Sequence, residues 1–123
     1  MTARTRKRVA PRGDVTVIGP VDPPADLSPT QAAIWRETVA GETGDFSSAA
    51  AQAMLRDYCS HRATADLITG QVQSFDPAWA SFPDGIARLD LLARMRDREV
   101  RAAAAALVRL RAASSSSAWS TWS

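Results

Sequence analysis

The residues able to do covalent or metal chemistry are few and poorly spaced. The only cysteine, Cys59, and the only histidine, His61, stand two apart in a stretch whose pattern predicts a helix. Residues two apart on a helix do not face each other, so the pair cannot form an activated nucleophile. A metal site would need more histidine or cysteine ligands than the chain has. We therefore expect a protein that is not an enzyme, with no catalytic residues, no metal and no cofactor.

The remaining chemistry is that of arginine. The stretch "RTRKR" at 4–8 is a compact cationic run, and such runs bind phosphates through counterion release. A solvated tail is the alternative interpretation. A second run, "RMRDREVR" at 94–101, places arginines on one helical face, where their planar fork suits phosphate and carboxylate alike. For this second run, pairing with carboxylates of other helices or subunits is the favoured interpretation.

Charge alternates in blocks along the 123 residues. Residues 1–13 carry +5, residues 14–26 carry −3, residues 27–87 carry −4 and residues 88–123 carry +4. Alternating blocks suit a protein whose copies or partners meet through opposite surfaces. A single cysteine fits a reducing compartment, and no apolar run reaches the roughly 20 residues that span a bilayer. We expect a cytoplasmic protein without membrane contact.

Three helices must position these residues. Ser28, Pro29 and Gln31 form a capping-box pattern that predicts a helix ending at Gly41. A second helix should begin after Asp45 or Ser48, with either as its N-cap, and end at Gly70. A third should run from about Asp84 to Ala112. The predicted fold is all-α, a short N-terminal helix plus a long antiparallel helical hairpin.

The flanking segments differ in composition from the helices. Residues 1–26 are basic and proline-rich and are interpreted as a flexible arm, with a possible short strand at 15–18. Residues 27–113 form the helical domain, which we expect to oligomerise and bind DNA. Residues 114–123 form a serine tail with Trp119 and Trp122, which are either helix-in-groove anchors or part of a disordered end.

The apolar residues predict both a core and an assembly surface. Trp35 lies on the amphipathic face of the first helix, and we assign it to core packing. The aromatic residues of the connection, Phe75, Trp79 and Phe82, are expected to fold back over the helices. The apolar stripe of the third helix is wider than one partner helix could cover, which predicts a homo-oligomer. Its contact residues are predicted to be Leu89, Leu92, Val100, Leu107 and Leu110.

The order of several short motifs resembles a known family. "LSPTQAAIW" at 27–35, "TGDFSSAAAQAMLRDYC" at 43–59, a glycine at 70 and "REVRAAAAALVRLR" at 98–111 are similar to the small terminase subunit of tailed double-stranded DNA bacteriophages. The resemblance covers residues 27 to 111. It implies a ring-forming, non-catalytic protein of the host cytoplasm that recognises viral DNA and presents it to the large terminase subunit, the ATPase and nuclease.

On this interpretation the residues take three roles. Double-stranded DNA would be bound by Arg4, Arg6, Lys7, Arg8, Arg12 and Arg36. The large subunit would dock on Trp119 and Trp122, and the apolar stripe would join the copies. Two alternatives remain open. One is a stand-alone dimeric DNA-binding regulator that reads bases through Gln31, Arg36 and Thr38 of the first helix. The other is a virion connector protein that binds only protein.

Overall fold

The fold is all-α, as predicted. The computed structural model describes residues 21–120, with side chains through Ser115, and it contains no strand within that range. Its helices are α1 (Pro29–Gly41), α2 (Ala49–Gln73) and α3 (Pro83–Ser120), and a short 3₁₀ turn (Pro77–Ser81) joins α2 to α3. The possible strand at 15–18 lies outside the described residues.

The start of α1 follows the predicted capping box. The Ser28 hydroxyl accepts a hydrogen bond from the Gln31 amide at 3.1 Å, and the Gln31 side chain accepts one from the Ser28 amide at 3.0 Å. Pro29 occupies the first helical position, where its missing N–H costs nothing. The helix ends at Gly41 as predicted, with the Glu42 amide donating to the Thr38 carbonyl.

The start of α2 is fixed by Ser48, whereas its end lies beyond the predicted position. The Ser48 hydroxyl accepts from the Ala51 amide at 3.0 Å, while Asp45 instead accepts from the amide and hydroxyl of Ser47. The predicted end at Gly70 is wrong, because α2 continues to Gln73 and the Ser74 amide donates to the Gly70 carbonyl. Glycine permits a helix to end but does not require it.

The third helix is longer than predicted at its C-terminal end. It continues past Ala112 to Ser120, so it crosses the boundary placed at residue 114. Ser114 is buried, and its hydroxyl donates to the Arg111 carbonyl at 3.2 Å, which satisfies its polar group within the helix. Gly44, with a φ of +140°, passes so close that an added Cβ would lie 2.7 Å from the Ser114 hydroxyl. Packing against this turn therefore extends the helix.

The core lies where all three helices meet. Trp35 has no exposed surface and packs in one cluster with Leu55, Cys59 and Leu110. Its indole nitrogen donates to the Val21 carbonyl at 2.8 Å, so the ring's one polar group is paired. The assignment of Trp35 to the core is confirmed. Burial raises the pKa of the Cys59 thiol to about 11, so this cysteine is a neutral packing residue.

Helices α2 and α3 pack against each other with their chains running in opposite directions. Thr69 accepts from Arg96 at 2.7 Å, and Asp57 pairs with Arg109 at 3.3 Å. The residue number therefore falls along α2 as it rises along α3. The buried residues between the two helices include the small side chains Ala65, Ala103 and Ala106. Small side chains at a contact allow two helix backbones to approach closely.

The 3₁₀ turn packs on α3 through its backbone. A Cβ added at Gly85 would lie 1.9 Å from the Trp79 carbonyl oxygen, whereas one added at Gly70 would meet nothing within 4 Å. We predict that Gly85→Ala lowers the free energy of unfolding by about 1–3 kcal/mol through overpacking. The matched control Gly70→Ala should raise it by about 0.5–1 kcal/mol, because alanine is the better helix former. Urea unfolding of both variants measures the two effects, and equal effects would contradict this packing.

An ion pair joins the end of α1 to α3. Arg111 donates two hydrogen bonds to the Glu42 carboxylate, at 2.8 and 3.0 Å, and this pairing lowers the pKa of Glu42. Because the folded pKa is depressed, the stabilisation is present above the unfolded pKa and is lost as the pH falls through the folded pKa.

We predict that Glu42→Gln destabilises the fold at pH 7 by about 1 kcal/mol or less. The difference from wild type should shrink as the pH falls below the ordinary glutamate pKa and vanish once Glu42 is protonated in the folded state. Urea unfolding as a function of pH measures this difference. Glu37→Gln is the control. Glu37 is 70% exposed, and its nearest contact with Arg62 is long, at 4.0 Å, so this pair should contribute little. A pH-independent difference for Glu42→Gln would contradict the assignment.

Candidate assembly and nucleic-acid surfaces

The cysteine and histidine are used separately in the packing of the helices. Cys59 is buried in the core, whereas His61 lies between α2 and α3 with its Nδ1 atom 2.8 Å from a Glu99 oxygen. Its Nε2 atom is 3.6 Å from Asp57, one turn earlier on α2. Within residues 21–120, no group of three or more histidine, cysteine, aspartate or glutamate residues could hold a metal ion. In the same range, no helix is long and apolar enough to cross a membrane.

Most arginines of the run at 94–101 pair with carboxylates of their own helix. Arg94 is 3.0 Å from Asp90, and Arg101 is 2.9 Å from Asp97, each one turn away on α3. Contacts from α3 to acids of the other elements come instead from Arg109 and Arg111. Within one chain, the predicted pairing with acids of other elements is therefore made by Arg109 and Arg111, which follow the run, and not by the arginines of the run itself. Exposed pairs of this kind contribute little to stability.

Three arginines remain without a carboxylate at ion-pair distance among the described residues: Arg36, Arg88 and Arg96, of which Arg96 donates to the Thr69 hydroxyl. Arg36 is exposed on α1. Of the other two residues considered for base reading, Gln31 closes the capping box, and buried Thr38 donates to the Ile34 carbonyl at 2.7 Å. Of these three residues, only Arg36 keeps its side chain free of hydrogen bonds among the described residues. The other predicted DNA contacts, Arg4, Arg6, Lys7, Arg8 and Arg12, lie outside the described residues.

The predicted assembly residues divide between the core and the surface. Leu92 is 6% exposed and Leu110 is fully buried within one chain, so neither offers surface to a second copy. The prediction that Leu92 and Leu110 contact other copies is wrong, since both lie on the inner face of α3. Leu89 and Leu107 are half-buried, and Val100 is 43% exposed. The predicted docking residue Trp122 lies outside the described residues, as does the side chain of Trp119.

A large amount of apolar surface stays exposed. The large apolar side chains concerned are Leu67, Trp79, Phe82, Ile86, Leu91, Val100 and Val108. The prediction that Trp79 and Phe82 fold back over the helices is wrong, since both are more than half exposed. The reason lies in the backbone, because the Trp79 carbonyl occupies the space beside Gly85 and the ring remains at the surface. Phe75 is half-buried.

Two opposite sides of α3 carry three of these residues, Ile86 and Val100 on one side and Leu91 on the other. Flank A consists of Ile86, Leu89, Ala93 and Val100, and flank B consists of Leu91, Met95 and Ala102, with spacings of three, four or seven residues in each set. Leu91 and Val100 are nine residues apart, which is two and a half helical turns, so the two flanks face opposite ways. Sequence reasoning missed flank B, although its spacing is visible in the sequence.

Helix α1 lies on the same side of α3 as flank A but borders α3 only after flank A has ended, at Leu107. Leu107, seven residues after Val100, borders a cavity of about 190 Å³ together with Thr38 and Gly41 of α1. At 1.5 Å per residue, the 13 residues of α1 span about 20 Å, against about 57 Å for the 38 residues of α3. Flank A, which runs from Ile86 to Val100, therefore lies beyond the end of α1.

A cleft of about 410 Å³ lies at the end where α2 turns into α3. Phe75, Trp79 and Leu92 form its apolar wall, and Arg88 contributes a guanidinium. Its polar wall carries Asp76, whose carboxylate accepts from the Ala78 amide at 3.0 Å. Because this carboxylate caps the 3₁₀ turn, Arg88 is the one charged group in the cleft without a described partner.

Comparison with known proteins adds no relative. No family model matches this chain, and no curated protein or solved structure matches it with significance.

The division between core and surface can be measured. Leu110→Ala should lower the free energy of unfolding by about 2–5 kcal/mol, because it leaves a cavity in a fully buried site. Val100→Ala should change it by about 0.5 kcal/mol or less in the monomer, since this side chain is 43% exposed and lies outside the core. Urea unfolding at concentrations that keep the chain monomeric measures both. A large monomer effect at Val100 would contradict its placement at the surface.

Proposed function

We propose that this protein is a non-catalytic DNA-packaging adaptor of the small terminase subunit class. It assembles into a ring in the host cytoplasm, binds viral double-stranded DNA and presents it to the large terminase subunit. The observation that carries the proposal is the apolar surface left exposed on both flanks of α3, which one chain does not cover. Exposed apolar side chains that recur along one side of a helix point to an interaction site.

The architecture supports a ring built from hairpins. Helices α2 and α3 act as one long antiparallel hairpin, held by the Thr69–Arg96 and Asp57–Arg109 contacts. Closed rings arise when a copy contacts its neighbours through two different surfaces related by a rotation. A long hairpin with apolar residues on opposite sides meets that requirement, and the short α1 packs at one end without blocking either neighbour.

DNA binding in this proposal depends on charge rather than on base reading. The arm of residues 1–13 carries +5, and Arg36 adds an exposed cation on α1. Cations in such numbers give salt-dependent, sequence-independent affinity for duplex DNA. The large subunit docks on the C-terminal end through Trp119 and Trp122, whose spacing of three would place both rings on one side of a helix extended on binding to include Trp122.

A virion connector that binds only protein is the second candidate. It is favoured by the ion pairs of α3, because Arg94, Arg101 and Arg109 are each matched by a carboxylate. The dimeric regulator receives less support, since two of its three base-reading residues on α1 are engaged within the chain.

Native mass measurement with and without duplex DNA tests the proposal. A ring-forming adaptor gives a discrete multiple of the 13.2 kDa chain mass, and DNA adds to that particle. A monomer at micromolar concentration contradicts assembly. A particle that ignores DNA at low salt supports the connector instead.

The cationic arm can be tested alone. We predict that replacing Arg4, Arg6, Lys7 and Arg8 with glutamine makes the plot of log affinity against log salt shallower by up to about 3–4, since each lost phosphate contact removes about 0.9. A filter-binding salt titration measures the slope. The control replaces Arg94 and Arg101, which are paired on α3, and should change the slope little. An unaltered slope for the arm variant would exclude the arm from DNA binding.

A further inference from the structure

We propose that copies of this chain contact one another head to tail, with flank A of one copy packed on flank B of the next. The inference rests on the assembly part of the proposed function and specifies which surfaces meet. Each flank is therefore covered by another copy of this chain.

The length of the exposed surface selects such an occupant. Ile86, at 54% exposure, and Val100, at 43%, are the ends of flank A and lie 14 residues apart on α3, about 21 Å along a helix axis. A partner that follows this length must itself present an element of at least this extent. The chain supplies two, since α2 spans about 37 Å and α3 spans more.

The opposite directions of the flanks select a head-to-tail contact. A two-fold dimer uses one surface twice and leaves any second surface exposed. Here Val100 and Leu91 point to opposite sides of α3, and they are 43% and 48% exposed respectively. A contact of flank A with flank A would leave Leu91 in water in both copies. In a closed ring whose contacts are all alike, only a contact between unlike flanks covers both residues in every copy.

The charges beside the two flanks are complementary. Asp90 and Asp97 precede Ala93 and Val100 by three residues, so carboxylates lie along the outer edge of flank A. Arg88 and Arg98 lie three residues from Leu91 and Met95, so guanidinium groups lie along flank B. Among the described residues Arg88 has no carboxylate partner, and Arg98 has only Glu99 at 3.9 Å. Unlike flanks therefore bring opposite charges together, whereas a flank B pair would bring arginines together.

The other charged contacts beside flank A do not cancel this complementarity. Arg96 also borders flank A, but its Nε atom donates to the Thr69 hydroxyl, which directs it toward α2. Asp90 and Asp97 are paired with Arg94 and Arg101 on their own helix, yet they remain 63% and 58% exposed. These carboxylates can accept a further hydrogen bond from a second copy.

Two single substitutions test the arrangement. Val100→Asp disables flank A and leaves flank B intact, and Leu91→Asp does the reverse. Each variant alone should lose the assembly of the wild type, because a charge placed in an apolar contact is costly. An equimolar mixture should form a heterodimer of twice the 13.2 kDa chain mass and nothing larger, since only one intact contact remains. Sedimentation velocity and native mass spectrometry measure the species.

Each other outcome is decisive. If Leu91→Asp alone still assembles, flank B is not part of the contact, and the proposal is overturned. If both variants are monomeric and stay so when mixed, the contact does not join the unlike flanks. A wild type that is itself monomeric removes the assembly part of the proposed function as well, which distinguishes the two failures.

Folding is controlled by circular dichroism and urea unfolding of each variant. Should either aspartate variant unfold, Ile86→Asp replaces the first and Arg98→Glu replaces the second, since these side chains are at least half exposed. The same mixing result is expected from that pair. Reversal at Arg98 also tests the charge argument, because a purely apolar contact would still assemble with glutamate at that position.

Discussion

The difference in length between α1 and the two long helices constrains the rest of this structure. A helix of 13 residues can cover only one end of a pair whose members have 25 and 38 residues. At that end the three helices share a core built around Trp35, Leu55 and Leu110. Beyond it α2 and α3 have only each other and the 3₁₀ turn, and a two-helix layer buries one side of each helix. The exposed apolar residues are a direct result of this geometry.

Local chemistry made the helix starts and the end of α1 predictable, whereas the ends of α2 and α3 were not. The capping box at Ser28 and the N-cap at Ser48 depend on residues within three positions of each other, so the sequence alone contains the information. The end of α2 lies past Gly70 because glycine permits a helix to continue, whereas the course of α3 past Ala112 depends on a distant partner. Ser114 is buried against the turn at Gly44, seventy residues earlier in the chain. Such a contact has no local signal, and this explains why the predicted end of α3 was wrong.

The apolar surface was predictable in amount but not in direction. Periodicity showed that α3 carries more apolar residues than one neighbour can cover, and the exposures of Ile86 and Val100 agree. It did not show which edge of the stripe faces α2, and Leu92 and Leu110 were therefore misplaced. The exposed rings of Trp79 and Phe82 depend on a backbone approach at Gly85 that no periodicity encodes. The ion pairs of the arginines show the same limit. A pair one helical turn apart can be predicted from sequence spacing, whereas the distant acid that an arginine contacts cannot.

The burial of Cys59 gives this protein a built-in reporter. The chain has one thiol, which is fully buried beside Trp35 and has a raised pKa, so in the native fold it is both inaccessible and protonated. A disulfide-exchange reagent reacts with the thiolate, and reaction requires the core to open first. The rate of labelling at this single atom therefore measures how often the three-helix junction opens, without any added probe. Comparing that rate in free and assembled protein would show whether neighbours stabilise the junction or only the distant part of the hairpin.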